Sequence, residues 1–202
     1  MSNRETQERL GRLLESEFHR KATLRGYFVN RHCDQLGVNG IKAPMLHGPY
    51  KGFRLPDFRL LIPKQLRIQG TTCIEPWVEV KAKSRAPFYG IEQQHKHGID
   101  LPNWRDYLTV ARMSESTGYL VIGELDRGEI RIASFKRLEQ CAQVTDACES
   151  FPNGGVFWPR DAFKLWGRFD RQNGQMDFKF DFRDNVDWRP PTAATQTREA
   201  AG

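Results

Sequence analysis

The sequence predicts a mixed α/β domain. Three observations carry that prediction: an amphipathic helix opens the chain, short apolar strands follow it in clusters, and a second helix separates two of those clusters. Over residues 5–25, Leu10, Leu13, Leu14, Phe18, Ala22 and Leu24 or Arg25 recur near i, i+3, i+4 spacing, with charges between them. Gly26 stands where a left-handed cap ends a helix, and Tyr27-Phe28-Val29 reads as a short strand. Residues 32–53 hold Gly37, Gly40, Pro44, Gly48, Pro49 and Gly52 with little periodicity, which predicts a long surface loop of the kind that often carries function. Strands are expected at Leu55–Ile62 and Cys73–Lys83, with Pro76 marking an edge or a bulge in the second. Residues 84–101 are polar and read as irregular. Pro102 suits the first turn of a helix that runs to about Ser116 on Trp104, Tyr107, Leu108 and Ala111.

Gly118 opens the strand Tyr119–Ile122, Asp126-Arg127-Gly128 is a turn, and Ile130–Ala133 alternates as the partner strand. Further on, the pattern predicts a short helix at Asp161–Trp166, a hairpin turn at Asn173-Gly174 and a strand at Met176–Phe182. From Arg189 the chain lacks core-forming residues, and disorder is expected over 189–202. The organisation read from these elements is one domain over 1–188, with a core at about 8–140 and a C-terminal extension at about 150–188.

Composition narrows the class. The chain has 202 residues, 39% hydrophobic and 28% charged, which fits one ordinary domain and excludes collagen-like and low-complexity chains. No run approaches the roughly 18 apolar residues of a membrane helix, so no membrane association is expected. The N-terminal Met1-Ser2-Asn3-Arg4-Glu5 is too charged for a secretory signal. Cys33, Cys73, Cys141 and Cys148 form no C-x-x-C pair, and a reducing cytoplasm is the expected compartment. The net charge of +6 is unevenly placed: residues 42–85 carry nine Lys and Arg against three Asp and Glu. Such a concentration attracts polyanions, although a solvated basic face is the plain alternative.

The chemistry concentrates in Trp77-Val78-Glu79-Val80-Lys81-Ala82-Lys83. Strand alternation turns Val78, Val80 and Ala82 to one face and Glu79, Lys81 and Lys83 to the other. Asp57, in Leu55-Pro56-Asp57-Phe58-Arg59-Leu60, stands at the start of the preceding strand. If the two strands pair antiparallel, Asp57 approaches Glu79 and Lys81 on one face. Two carboxylates so placed repel unless a cation neutralises them, and hard oxygen ligands point to Mg²⁺ or Mn²⁺. Such an ion withdraws charge from phosphate oxygens and acidifies bound water. Lys81 would orient or help deprotonate that water and stabilise negative charge on the phosphate.

Pro56-Asp57 followed by Glu79-Val80-Lys81 resembles the signature of the PD-(D/E)xK nuclease superfamily. The resemblance covers about residues 8–125. It implies a restriction-endonuclease-like core: a central mixed sheet flanked by helices, here with a C-terminal β-hairpin extension. It implies Asp57 and Glu79 as metal ligands, the Val80 backbone carbonyl as a further ligand, and Lys81 as the water-orienting residue. Many members carry a Glu on the first helix, about ten residues ahead of a Gly-aromatic-x-Val strand. Glu15 fits that place before Gly26-Tyr27-Phe28-Val29 better than Glu17 does. The helix after the Lys strand is expected to line the site. Gly98-Ile99-Asp100-Leu101 and Arg105-Asp106-Tyr107-Leu108, leading into Gly118–Ile122, look like that part of phage and bacterial nucleases of this group. Exonuclease branches carry Q-x-x-x-Y there, whereas here Gln93 is followed by His97 in the tyrosine's place.

The expected activity is therefore Mg²⁺- or Mn²⁺-dependent hydrolysis of DNA, cutting internally. Lys83, Arg85, Lys51, Arg54 and Lys42 are the candidate phosphate contacts. Cutting both strands with one site per chain would call for a homodimer. An alternative keeps the fold as a catalytically inactive DNA-binding or assembly module, and a third reading reduces Asp57 and Lys81 to a buried salt bridge. Trp77, Phe88, Tyr89 and Trp104 are candidates for base stacking or for the core. His95 and His97 with Asp100 are a minor metal candidate beside a solvated loop, and Cys141 and Cys148 are spaced for one helix face. No G-x-S-x-G or G-x-x-x-x-G-K-[ST] occurs, so nothing points to a nucleophile elbow or a P-loop.

Overall fold

The computed structural model describes residues 3–32, 45–47, 49, 51–64, 72–89, 93–147, 151–170 and 176–178. In chain order the elements begin with α1 (Asn3–Leu24), β1 (Phe28–Arg31), β2 (Met45–His47), β3 (Gly52–Arg54), β4 (Phe58–Lys64), β5 (Thr72–Ile74) and β6 (Trp77–Lys83). Then come β7 (Phe88–Tyr89), β8 (Gln94–Asp100), α2 (Leu101–Met113), β9 (Gly118–Glu124), β10 (Glu129–Ser134) and α3 (Phe135–Glu139). β11 (Gln143–Thr145), β12 (Gly155–Pro159), a 3₁₀ turn at Arg160–Ala162, β13 (Lys164–Phe169) and β14 (Met176–Phe178) follow.

An eight-stranded sheet in the order β1-β4-β6-β9-β10-β13-β14, with β5 on β4, forms the centre. Only β6 and β9 pair parallel within it, so the sheet is mixed. A parallel pair needs a crossover, and the chain between them supplies α2 together with β7 and β8. A second sheet, β11-β12-β8-β7, is antiparallel throughout, and β2 pairs with β3 as a hairpin. Among the described residues no helix is long and apolar enough to cross a membrane.

The central sheet is covered on both faces. On one, Leu14, Phe18 and Ala22 of α1 pack on Phe58, Leu60, Val78, Val80 and Val121. On the other, Trp104, Tyr107 and Val110 of α2 pack with Trp77, Leu120, Ile122 and Trp158. β9 is buried along its whole length, as a strand covered on both faces must be. α1 ends at Gly26, whose φ of 83° is the left-handed cap that a Cβ would oppose.

Several expectations are corrected. The apolar stripe of α1 is narrower than predicted, since Leu13 and Leu24 are exposed. The expected strand Cys73–Lys83 is two strands, because Pro76 has no N–H for the ladder and its carbonyl instead accepts from Leu60 N at 3.0 Å. The stretch 84–101 contains β7 and β8. Its Gln-His-Lys-His run hides a strand because the polar side chains are satisfied by long-range partners that sequence spacing does not display. The helix expected at Asp161–Trp166 is a 3₁₀ turn followed by β13, which is held as a strand by antiparallel pairing with β10. Part of the long loop is the β2–β3 hairpin. Cys141 follows α3, and the chain then enters β11, so no helix joins it to Cys148. Cys33, Cys148, Lys42, the Asn173-Gly174 turn, residues 179–182 and the tail 189–202 lie outside the described residues.

Candidate active site

β4 and β6 pair antiparallel with Phe58 opposite Val78, and this register sets Asp57 across from Glu79. Each acid accepts a backbone N–H from the opposite strand segment. Asp57 N–H donates to Glu79 Oε2 at 3.1 Å, and Val80 N–H donates to Asp57 Oδ2 at 2.9 Å. Glu79 is fully buried, and its Oε1 takes the Tyr107 hydroxyl at 2.7 Å and an ion pair from the Lys81 ammonium. The alternation of β6 thus does what its sequence implies: Val78 and Val80 enter the core under α1, while Glu79 faces α2.

The electrostatics follow from this crowding. Burial first, then the charge of Glu79 and a smaller contribution from Glu15, push the Asp57 carboxyl up to about 8, against the pull of Lys81 and the Val80 N–H. Burial would lower the Lys81 ammonium, but Glu79 and Asp57 outweigh it and hold Lys81 above its ordinary value. Lys81 therefore stands as a charged hydrogen-bond donor. Burial and the nearby Glu79 raise the Tyr107 phenol well above its usual range, so it stays a neutral donor to Glu79. Lys81 pairs with Glu79, so the Asp57–Lys81 salt bridge of the third reading is replaced by a Glu79–Lys81 pair.

The other candidates fall into place around this centre. Glu15 on α1 pairs with Arg31 at 3.2 Å, while its charge is still felt at Asp57. Glu17 instead pairs with Arg20. Lys51 and Arg54 are not on a free loop but are tied to α2. Lys51 Nζ reaches Asp106 Oδ1 at 3.3 Å, Arg54 N–H donates to Asp106 Oδ2 at 3.1 Å, and Arg54 Nη1 reaches Asn103 Oδ1 at 3.3 Å. Lys83 is half-buried and Arg85 exposed, continuing from the Lys81 end of β6. Burial and then the charge of Lys81 lower the Lys83 ammonium. Trp77 and Trp104 are core residues, Trp77 donating to Ser114 Oγ at 2.7 Å, and neither is free to stack on a base.

His97 is buried and His95 half-buried. His95 Nδ1 bonds the Ala86 carbonyl at 2.8 Å, and His97 is buried with Nε2 on Glu124 Oε1 at 2.7 Å. Glu124 also accepts from Arg160 Nη2 at 2.7 Å, and Arg160 reaches Glu129 at 2.5 Å. Burial would raise Glu124, but the bonds from His97 and Arg160 overcome it and bring it to about 2. Sequence reasoning did not foresee this network or the role of Tyr107. Tyr107 lies in the helix expected to line the site, but its spacing reads as an apolar position of α2, and the bond of its buried hydroxyl to Glu79 is not visible in the sequence. Among the described residues no group of three His, Cys, Asp or Glu side chains is placed to hold a metal ion.

No family model matches the chain, and no curated protein matches it. Among solved structures, the chain is similar to Hjc of Archaeoglobus fulgidus, a Holliday junction resolvase from an archaeal hyperthermophile. The TM-score is 0.44 at 12% identity, over 76% of this chain and 86% of that one. It is also similar to D212, a nuclease from a fusselovirus, with a TM-score of 0.42 at 10% identity, over 82% of this chain and 88% of that one.

Proposed function

We propose that the protein is a metal-dependent nuclease of the PD-(D/E)xK type that hydrolyses DNA phosphodiester bonds internally. The observation that carries the reading is the clasp of Asp57 and Glu79 with Lys81 on one face of β4 and β6. Two acids share a space with one ammonium, and the Asp57 carboxyl, pushed up to about 8, keeps its proton at neutral pH, so ionising both acids calls for a further positive charge. A divalent ion meets that need, and hard oxygen donors suit Mg²⁺ or Mn²⁺. Asp57, Glu79 and the Val80 carbonyl would hold it, and water and phosphate oxygens would complete the shell, as Mg²⁺ prefers. When bound, such an ion supplies Lewis acidity toward the phosphate and a more acidic water.

The protein's own groups have separate tasks. Tyr107 and the Asp57 N–H fix the Glu79 carboxylate from opposite sides. Lys81, held as an ammonium, orients the attacking water and stabilises charge that grows on the phosphate in the transition state. Glu15 adds negative field at Asp57 and strengthens the demand for a cation. Cleavage of supercoiled plasmid with Mg²⁺ or Mn²⁺ tests the reading. Lys81→Ala should cut at least about a hundredfold more slowly, the size of loss seen when one charge-stabilising donor is removed, in protein that still unfolds cooperatively above the assay temperature. Undiminished cutting by this variant would remove Lys81 from the mechanism.

The inactive-module reading is favoured by one observation, the lack of a third metal-binding side chain beside Asp57 and Glu79 among the described residues. Titration with Mg²⁺ and Mn²⁺ by calorimetry separates the two, since an inert module takes up neither ion at millimolar concentration.

A further inference from the structure

A cavity of about 370 Å³ opens beside the C-terminal end of β6, lined among others by Lys83, Arg85, Tyr89, His97, Phe151 and Phe157. That volume is at the lower end of the range of small-ligand clefts, roughly 300–1,000 Å³. Lys83 lies two positions beyond Lys81 on the same face of β6, so the cavity adjoins the proposed catalytic centre. Its walls combine two chemistries. Lys83 and the exposed Arg85 are cationic, while Tyr89, Phe151 and Phe157 are aromatic. The rings meet edge-on, Phe151 to Phe157 at 5.1 Å and Tyr89 to Phe157 at 5.7 Å, so neither pair is stacked face to face. Lys96 stands 5.0 Å over one face of Tyr89.

His97 is 1% exposed at the cavity wall, and its Nδ1 is buried with no hydrogen-bond partner among the described residues. Its Nε2 meets Glu124, which is held ionised by Arg160, and a carboxylate only accepts, so Nε2 carries the hydrogen. Burial keeps the ring neutral, below its ordinary pKa, and Nδ1 is left as a bare acceptor.

We propose that this cavity receives one unpaired nucleotide of the DNA strand, with its base against the Tyr89, Phe151 and Phe157 rings and its phosphate at Lys83 and Arg85. The assignment rests on the nuclease reading for the identity of the strand. It deepens that reading by making the preferred substrate DNA with a single-stranded or distorted segment next to the cut. A base in a stacked duplex presents neither its face nor its pairing edge, so only an extruded or unpaired one can fill the site. Gly98 helps make the room: a Cβ there would come within 2.5 Å of the Phe157 ring.

The test uses the whole protein without divalent ions and a short single strand carrying one 2-aminopurine, read by its fluorescence. Binding should quench the probe in the strand and leave the signal of a fully paired duplex of the same sequence unchanged. Tyr89→Ala and Phe151→Ala should each weaken strand binding by about tenfold or more, in line with the loss of a base–aromatic stack. Tyr89→Phe, which keeps the ring, should retain both affinity and quenching, and so separates stacking from a fold defect. Unchanged affinity and quenching in both alanine variants would overturn the proposal. Equal affinity for the free 2-aminopurine nucleotide would overturn the assignment to a strand. Plasmid cutting with no quenching sinks the pocket and spares the nuclease; quenching without plasmid cutting does the reverse.

Discussion

Asp57 keeps its proton into the neutral range because its carboxyl is desolvated beside the buried Glu79, and this has a measurable consequence for the ion-free protein. The folded carboxyl is pushed up to about 8 from its ordinary 3.8, so between those limits the folded state binds more protons than the unfolded one. The contribution of this group to stability is complete below about pH 4 and declines as pH rises toward 8. Asp57→Asn removes the titration but keeps an oxygen for the Val80 N–H. In EDTA the variant should melt no lower than wild type at pH 8, with a flatter dependence of melting temperature on pH between 4 and 8, yet should cut no plasmid when Mg²⁺ is supplied. A strong destabilisation of Asp57→Asn at pH 8 would instead make the acid a structural partner. The crowding of two acids and the proposed need for a cation meet at one pair of carboxyls.

At the level of elements, the site is a product of β4, β6 and α2. Gly118 shows how tightly the strand after α2 is fitted, since a Cβ there would stand 1.9 Å from the Phe135 ring of α3. Gly118→Ala should cost about 1–3 kcal/mol, the range for overpacking a close-packed core, read as a lower melting temperature. A variant of unchanged stability would mean that α3 yields easily. Much of this architecture was legible. The period of α1, the Gly26 cap, the strand at Gly118 and the alternation of Glu79 and Lys81 are local signals, and Asp57 needs only one antiparallel pairing to meet them. β8 was not legible, because its polar residues are buried through partners far along the chain, His97 with Glu124 and Lys96 with Gln143. Nor was β13, whose pairing with β10 decides its conformation. Tyr107 illustrates the same limit within the site, for helical spacing shows a core position and says nothing of what its hydroxyl meets.

Across the whole molecule, the positive charge concentrated in residues 42–85 includes Lys81, Lys83 and Arg85, all near the candidate site. Strand affinity should therefore fall as salt rises, and Arg85→Ala should reduce the slope of log affinity against log salt by about 0.7, the increment for one phosphate on a single strand. An unchanged slope would place Arg85 away from the backbone. The parallel pairing of β6 with β9 runs from Trp77 opposite Gly118 to Lys83 opposite Glu124. Glu124 is fastened by His97 and Arg160. Sliding β9 by one position would pull that acid off its anchors and turn its neighbours inside out. The polar knot thus indexes the ladder from its distal end, and Glu79 and Lys81 are held at a fixed station along the strand before any substrate arrives.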